Sequence, residues 1–425
     1  MASFYIPLSG LEADSTALNT IANDLSNMNS TAFKTQTTNF SDLFHQQIGS
    51  TGSGDPIQVG AGVQVSSNET SFTQGTINST GNSTDVALNG NGFFVVNTGG
   101  GGVEYTRAGD FSLSSSGNLT TSNGFNVMGY PAQNGVVNTN APLTAITIPV
   151  GQVQQPQATT SFNMTTNLDA ASASNTSFPA QIKVYDSLGV DHTATVNYTE
   201  TGTNTWSYSV SLPAGDFTSG VSTPQTGTLN FNANGDLASV TTGGTTTTVG
   251  SGAGQTSTIP LSFTGLADGA SDMKMSWNLL GTSGSPTISQ VDTASAVSAT
   301  TQNGYASGQY QSFTVGSDGT VTATYSNGKT QNVGQLALAS VANQQGLLLL
   351  GNGDYATTAT SGTASVGTSG AAGLGTVTDG ALEESNVNIS AEFSDLIIAQ
   401  RAFEASSKAV TTFDTITQTT INMIH

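Results

Sequence analysis

Four kinds of residue grouping in this chain could in principle do chemistry. Gly99 to Gly102 is a glycine run of the kind that cradles phosphate. No Lys-Ser or Lys-Thr follows it, so it reads as a hairpin tip. Asp318-Gly319 and Gly351-Asn-Gly-Asp354 have the composition of calcium loops but lack repeated carboxylates and a terminal Glu, so they read as turns. His45, His192 and His425 are scattered without ligand spacing. Ser and Thr abound, yet no Gly-x-Ser-x-Gly nucleophile turn occurs. The chain therefore reads as a non-enzyme, with no catalytic residue, no cofactor and no metal assigned.

Composition excludes further classes. Charged residues make up 8% of the 425, against about 25% in ordinary soluble domains. Carboxylates outnumber Lys and Arg 27 to 7, for a net charge of −20. That leaves no basic footprint for nucleic acid and disfavours anionic lipid. There are no cysteines, hence no disulfides and no Cys-type zinc site. No stretch approaches the 18 apolar residues of a membrane span, so no membrane insertion is expected. The N-terminus has no basic residue before Lys34 and no uninterrupted apolar run of a cleavable signal. Either the protein is cytosolic or it leaves by a route that removes no leader.

Two stretches carry helical periodicity. Residues 382–425 contain neither Gly nor Pro, and Phe393, Leu396, Ile397, Phe403, Val410, Phe413, Ile421 and Ile424 form one broad apolar stripe. A helix from Ile389 to Ile424 would run roughly 50 Å. At the other end Leu8, Leu11, Ser15, Leu18, Ala22 and Leu25 alternate steps of three and four, with Ile21 beside them. Pro7 suits a first turn, and Asn27 to Ser30 should stop the helix. Neither helix is expected to be stable alone, so the two ends are predicted to form a coiled coil.

Between the ends lie strands and turns. Residues 33–72 with 372–382 read as a connector, in which Phe40, Leu43 and Phe44 could make a short helical turn. Residues 73–151 with 300–371 read as an inner antiparallel β domain, with strands such as Phe93-Phe-Val-Val96 and the hairpin signal Asn327-Gly328. Residues 152–299 read as an outer β domain, with strands at 181–185, 193–198, 205–210, 228–231 and 274–277. The stretch 241–254 reads as a surface loop. The fold class is mainly β with α-helical termini: nested, discontinuous β domains on a helical domain of residues 1–32 with 383–425.

These residues resemble the bacterial flagellar rod and hook proteins, the hook branch most. The resemblance rests on three signatures. The first is Ile21-Ala-Asn-Asp-Leu-Ser-Asn-Met-Asn-Ser-Thr-Ala-Phe-Lys34, which includes Asn23, Asn27, Phe33 and Lys34; the family usually carries Gly in place of Ala32. The second runs through Gly92, Phe93, Phe94, Arg107, Gly109 and Phe111 to Gly129-Tyr130-Pro131. The third contains Asn386 and the run Ile398-Ala-Gln-Arg-Ala-Phe403, with Gln400 and Arg401. The inserted unit with Val184-Tyr-Asp-Ser-Leu-Gly189 favours the hook branch.

The resemblance implies a self-assembling subunit of a curved tube that transmits torque from motor to filament, on the cell surface after type III export. It implies as partners the protein itself, a distal rod protein, a hook cap protein, the first hook–filament junction protein, and the export apparatus with its hook-length control protein. It implies no nucleic acid. Secreted β-rich adhesins and distal-rod proteins are the alternatives; the adhesin reading leaves the two terminal heptads unexplained.

Overall fold

Strand and turn chemistry builds most of the chain, and helices close its two ends. The computed structural model describes residues 5–50 and 56–423; the expected helical residue Ile424 lies outside the described residues. Two compact units are present: Met1–Val150 with Ser312–Thr324 and Thr330–His425, and Gly151–Gln311 with Tyr325–Lys329.

In the first unit, helix α1 spans Tyr5–Ser26 and helix α2 spans Ile389–Met423. Asn388 caps α2: its Oδ1 accepts the N–H groups of Ser390 and Ala391 at 3.1 and 3.2 Å. Glu392 adds a negative charge to the first turn, where the helix dipole favours it. Along the distal half, Thr412, Thr415, Thr417, Thr419 and Thr420 donate their hydroxyls to carbonyls four residues back.

The β part of this unit is an antiparallel sheet. Its strands run in the order Thr330–Ser340, Asn126–Gln133, Phe93–Asn97, Val103–Thr106, Asp354–Ala356 and Leu348–Gly351. Phe93, Val95, Tyr105, Tyr130, Ala337, Ala339 and Tyr355 make one core. Phe94 points the other way and meets Phe111 edge-on at 5.2 Å, as the two-residue period of a strand requires. The returning chain pairs Thr376–Asp379 with Val86–Asn89, then Ala381–Glu383 with Ile77–Ser79.

The second unit is a two-sheet sandwich. Six antiparallel strands run in sequence order from Ser177–Tyr185 to Thr245–Thr248. The other sheet is mixed, with Ser161–Asp169 parallel to both Met273–Asn278 and Ile288–Val291. Side chains of both sheets share one core around Trp206 and Trp277. Each indole buries about 150–250 Å², a gross gain of roughly 4–6 kcal/mol at 25 cal/mol/Å². That gain exceeds the roughly 1–3 kcal/mol cost of a buried donor without an acceptor, which is the condition of both indole N–H groups among the described residues.

Two sequence expectations are corrected. Phe40, Leu43 and Phe44 do not make a helical turn: Phe40 lies in strand Gln36–Asp42, paired with Val63–Thr70, and Leu43 and Phe44 follow it without regular structure. The β-branched pair Thr37-Thr38 favours the strand, and Phe40 and Phe44 stay 47% and 97% exposed with no helical face to bury. The stretch 241–254 is not a simple loop: strands Leu237–Thr242 and Thr245–Thr248 form a hairpin. Gly243 and Gly244, at φ +59° and +83°, supply its two-residue turn.

Candidate assembly site

The terminal helices pair antiparallel. Gly10 of α1 faces Ser406 of α2, where an added Cβ would lie 3.3 Å from the hydroxyl. Ser406 donates to Asp14 Oδ2 at 3.0 Å. At the other end Asp24 and Glu392 approach closely enough to repel. The side of α2 turned inward carries Glu392, Leu396, Ala399, Phe403, Ser406, Val410 and Phe413, all at least partly covered. These steps of four and three form a heptad seam.

The second side of α1 rests on the strand pair 36–42/63–70. Pro7, Ala13, Thr20 and Asp24 are its buried residues. Thr38 Oγ1 and Thr20 Oγ1 bond at 3.0 Å, Gln36 N–H donates to Asp24 Oδ2 at 2.9 Å, and Val63 N–H donates to Ser9 Oγ at 3.2 Å. Leu11, Leu18, Ile21 and Leu25 are half-buried, while Leu8 and Ala22 are exposed.

The single apolar stripe expected on α2 is therefore split. Leu396, Phe403, Val410 and Phe413 turn inward. Phe393, Ile397 and Ile421 remain 52%, 53% and 54% exposed, joined by Ile389, Ile398, Ile416 and Met423 at 46% to 75%. The physical reason is width: one partner helix covers only a narrow seam, and α2 is apolar over a wider arc. Tyr5 and Ile6 extend the exposed apolar surface on α1.

Asp24 is an uncomfortable group in this pair. Its side chain is buried and Oδ1 has no partner among the described residues. Burial raises its pKa, only partly offset by the Gln36 N–H. Burial, then the charges of Asp24 and Asp395, also raises Glu392. A carboxyl whose folded pKa is raised destabilises the fold above that pKa and is relieved as pH falls through it. Asp24→Asn, which keeps an acceptor for Gln36, should slow amide exchange in α1 by the equivalent of about 1 kcal/mol at pH 7. The gain should shrink as pH falls through the raised pKa of the wild-type carboxyl. Equal exchange rates for the two proteins at pH 7 would contradict it.

A second cluster ties the two ends to the sheet. Glu383, fully buried, receives Lys34 Nζ at 2.6 Å, Arg107 Nη1 at 3.2 Å and the Gly75 N–H at 2.8 Å. Lys34 also donates to Thr73 O at 2.8 Å, and Arg107 Nη2 to Gly90 O at 2.6 Å. Arg107 lies 5.7 Å over the Phe93 ring, which packs against Phe72 and Tyr355 at 5.8 and 5.5 Å. Burial pulls the Lys34 ammonium below its ordinary value, and Glu383 pulls it part of the way back. Asn386 accepts the Thr35 N–H at 2.8 Å and donates to Ser71 O and Thr73 O. Ala32 N–H reaches Glu383 O at 2.8 Å from a left-handed backbone, φ +53°.

The motif residues thus fall into four places. Phe33, Lys34, Arg107 and Asn386 gather at this junction. Gly92, Phe93, Phe94, Gly109, Phe111, Gly129, Tyr130 and the strand residue Pro131 build the sheet core. At Gly109 any Cβ would collide with Val86 O. Asn23 and Asn27 bond to each other where α1 ends, and Gln400 and Arg401 are exposed on α2. Glu383 itself was not singled out from the sequence, although it sits between Leu382 and Asn386; among the described residues it is the acid that pairs with both buried cations.

Three family descriptions match the chain: the flagellar hook protein FlgE/F/G D1 domain over residues 87–167, the flagellar basal body protein FlaE D2 domain over 162–305, and the flagellar basal body rod FlgEFG protein C-terminal over 378–423. The flagellar hook protein FlgE of Treponema pallidum is 34% identical, covering 100% of this chain and 99% of its own. That of Escherichia coli is 34% identical over 99% and 100%. Among solved structures, Helicobacter pylori flagellar hook protein FlgE2 matches with a TM-score of 0.52 at 13% identity, over 71% of this chain and 98% of that one.

Proposed function

The chain belongs to the flagellar hook protein family, and from that premise we propose that it is a structural subunit of the bacterial flagellar hook, polymerising through its paired terminal helices into a curved tube that passes torque from motor to filament. The observation that supports this most directly is the exposed apolar row on α2, centred on Phe393 and Ile397. Such a row on a long helix is an interaction surface, and in a polymer the natural occupant is the same helix pair of a neighbouring copy.

On this reading the helical part, residues 1–32 with 383–425, forms the tube wall. The connector, 33–72 with 372–382, joins it to the inner β domain, 73–151 with 300–371. The outer β domain, 152–299, meets its neighbours through neutral-polar surfaces that slide at small cost. Its partners are further copies of itself, a distal rod protein, a hook cap protein, the first hook–filament junction protein, and a type III export apparatus with its hook-length control protein. Among the described residues no helix is long and apolar enough to cross a membrane.

Purified protein examined by electron microscopy should form tubes, and the net charge of −20 sets the conditions. Acidic copies repel, and raising ionic strength from about 0.01 to 0.15 M shortens the screening length from about 30 to 8 Å. Sedimentation should therefore show more polymer at higher salt at neutral pH. Absence of tubes at every salt concentration would sink the reading.

A further inference from the structure

The sandwich unit gathers three carboxylates around one buried imidazole. His192, in strand Asp191–Gly202, has a side chain only 5% exposed. Its Nδ1 lies 2.8 Å from Asp216 Oδ2. Its Nε2 lies 3.2 Å from Asp186 Oδ2 and 3.8 Å from Asp268 Oδ2. Asp186 Oδ1 is already committed to the N–H groups of Leu188 and Val190, and Asp268 Oδ1 to that of Ala270. The two Oδ2 atoms are therefore the ones turned to the ring.

With Asp216 taking the Nδ1 proton, a neutral ring presents a lone pair at Nε2 to two carboxylate oxygens. In that tautomer three acceptors converge with no donor between them among the described residues, an arrangement that suits a cation; in the protonated ring Nε2–H would instead donate to Asp186 Oδ2, so a metal ion competes with that proton for the site. The ligand atoms lie within 4.8 Å of one another. The two Nε2–oxygen separations bracket the edge of about 3.4 Å that bonds of about 2.1 Å give in a tetrahedral site.

We propose that Asp186, His192 and Asp268 form a divalent transition-metal site, with Asp216 as the outer carboxylate that holds the imidazole tautomer. An imidazole with two carboxylates suits Zn²⁺ or Mn²⁺ better than Mg²⁺ or Ca²⁺, which prefer all-oxygen shells. An outer carboxylate on the far ring nitrogen is the usual partner of a metal-bound His. Asp268 and Asp216 are about a quarter exposed, at 24% and 25%, which leaves a way in from solvent. Asp186, His192 and Asp216 come from the six-stranded sheet and its loops, and Asp268 from a turn of the other sheet. A bound ion would clamp the sandwich at one edge.

The test uses untagged full-length protein stripped with chelator, titrated calorimetrically with Zn²⁺ and with Mg²⁺. Both tryptophans lie in this unit, so indole fluorescence follows its unfolding. The expected result is one Zn²⁺ per chain, an upward shift of the fluorescence-detected melting midpoint with Zn²⁺, and at least tenfold weaker Mg²⁺ binding. Asp268→Asn should weaken Zn²⁺ at least tenfold and abolish most of the Zn²⁺-induced rise in the melting midpoint, and Asp216→Asn should weaken it about 10- to 100-fold. Failure of the wild-type protein to bind Zn²⁺ stoichiometrically would overturn the proposal. So would undiminished binding by Asp268→Asn, or equal affinity for Mg²⁺.

Discussion

Glu383→Gln should cost the helix-bearing unit about 3–5 kcal/mol, the penalty for removing one partner from a buried ion cluster. Glu383 is the shared acceptor of Lys34 and Arg107, whose side chains are 0% and 3% exposed. A neutral amide leaves two cations facing each other out of water and adds two donors that nothing at the site needs. The effect can be read cleanly because both tryptophans belong to the other unit. In urea, the circular dichroism transition of the sheet 93–133 should move to lower denaturant while the fluorescence transition stays in place. Replacing the three charges together, Lys34→Met with Arg107→Leu and Glu383→Leu, should recover most of the loss, because apolar side chains of similar volume substitute well for a buried ion cluster. A Glu383→Gln protein within 1 kcal/mol of wild type would show that water reaches the cluster.

The second large effect falls on assembly. Phe393 and Ile397 sit one turn apart on the outer face of α2, each more than half exposed. Phe393→Asp with Ile397→Asp should alter the monomer by no more than about 0.5 kcal/mol, as exposed substitutions do. In a polymer the same two positions lose roughly 1.5–3 kcal/mol of burial each. At about 1.4 kcal/mol per tenfold, that is a factor of roughly 10² to 10⁴ per contact, before the cost of enclosing two carboxylates. Tubes should be absent by electron microscopy at salt concentrations where wild type polymerises. Glu404→Gln, an exposed change on the same helix, should leave tubes intact. Normal tubes from the double aspartate variant would place the intersubunit contact elsewhere.

Much of the architecture was legible because it is periodic. The three-four spacing of Leu8 to Leu25 and the uninterrupted run after Asn388 mark the two helices, and the Asn and Gly turns bound most strands. What stayed hidden is what periodicity does not encode. Apolar spacing shows that α2 has an apolar side, not that α1 covers only the Leu396–Phe413 seam of it. Lys34 and Glu383 are 349 residues apart, and nothing local marks either as buried. His192 looked isolated because its carboxylate partners come from three separate turns; only Asp186, six residues earlier across the turn, was within reach of a local reading. Thr-rich 241–248 looked like a loop by low complexity, but β-branching outweighed it.

The Lys34–Glu383–Arg107 cluster also sets an order in time. At about 5–20 residues per second, a ribosome needs roughly 20–70 s to add the 349 residues that separate Lys34 from Glu383. Lys34 throughout that interval, and Arg107 through its last 276 residues, exist in the growing chain without the acid that makes their burial tolerable. That acid lies on the return strand Ala381–Glu383, one of the last strands to be made and just ahead of α2 in the chain. An unfinished chain lacks both this acid and the exposed apolar row of α2, so the buried ion cluster and the assembly helix are completed together at the end of synthesis.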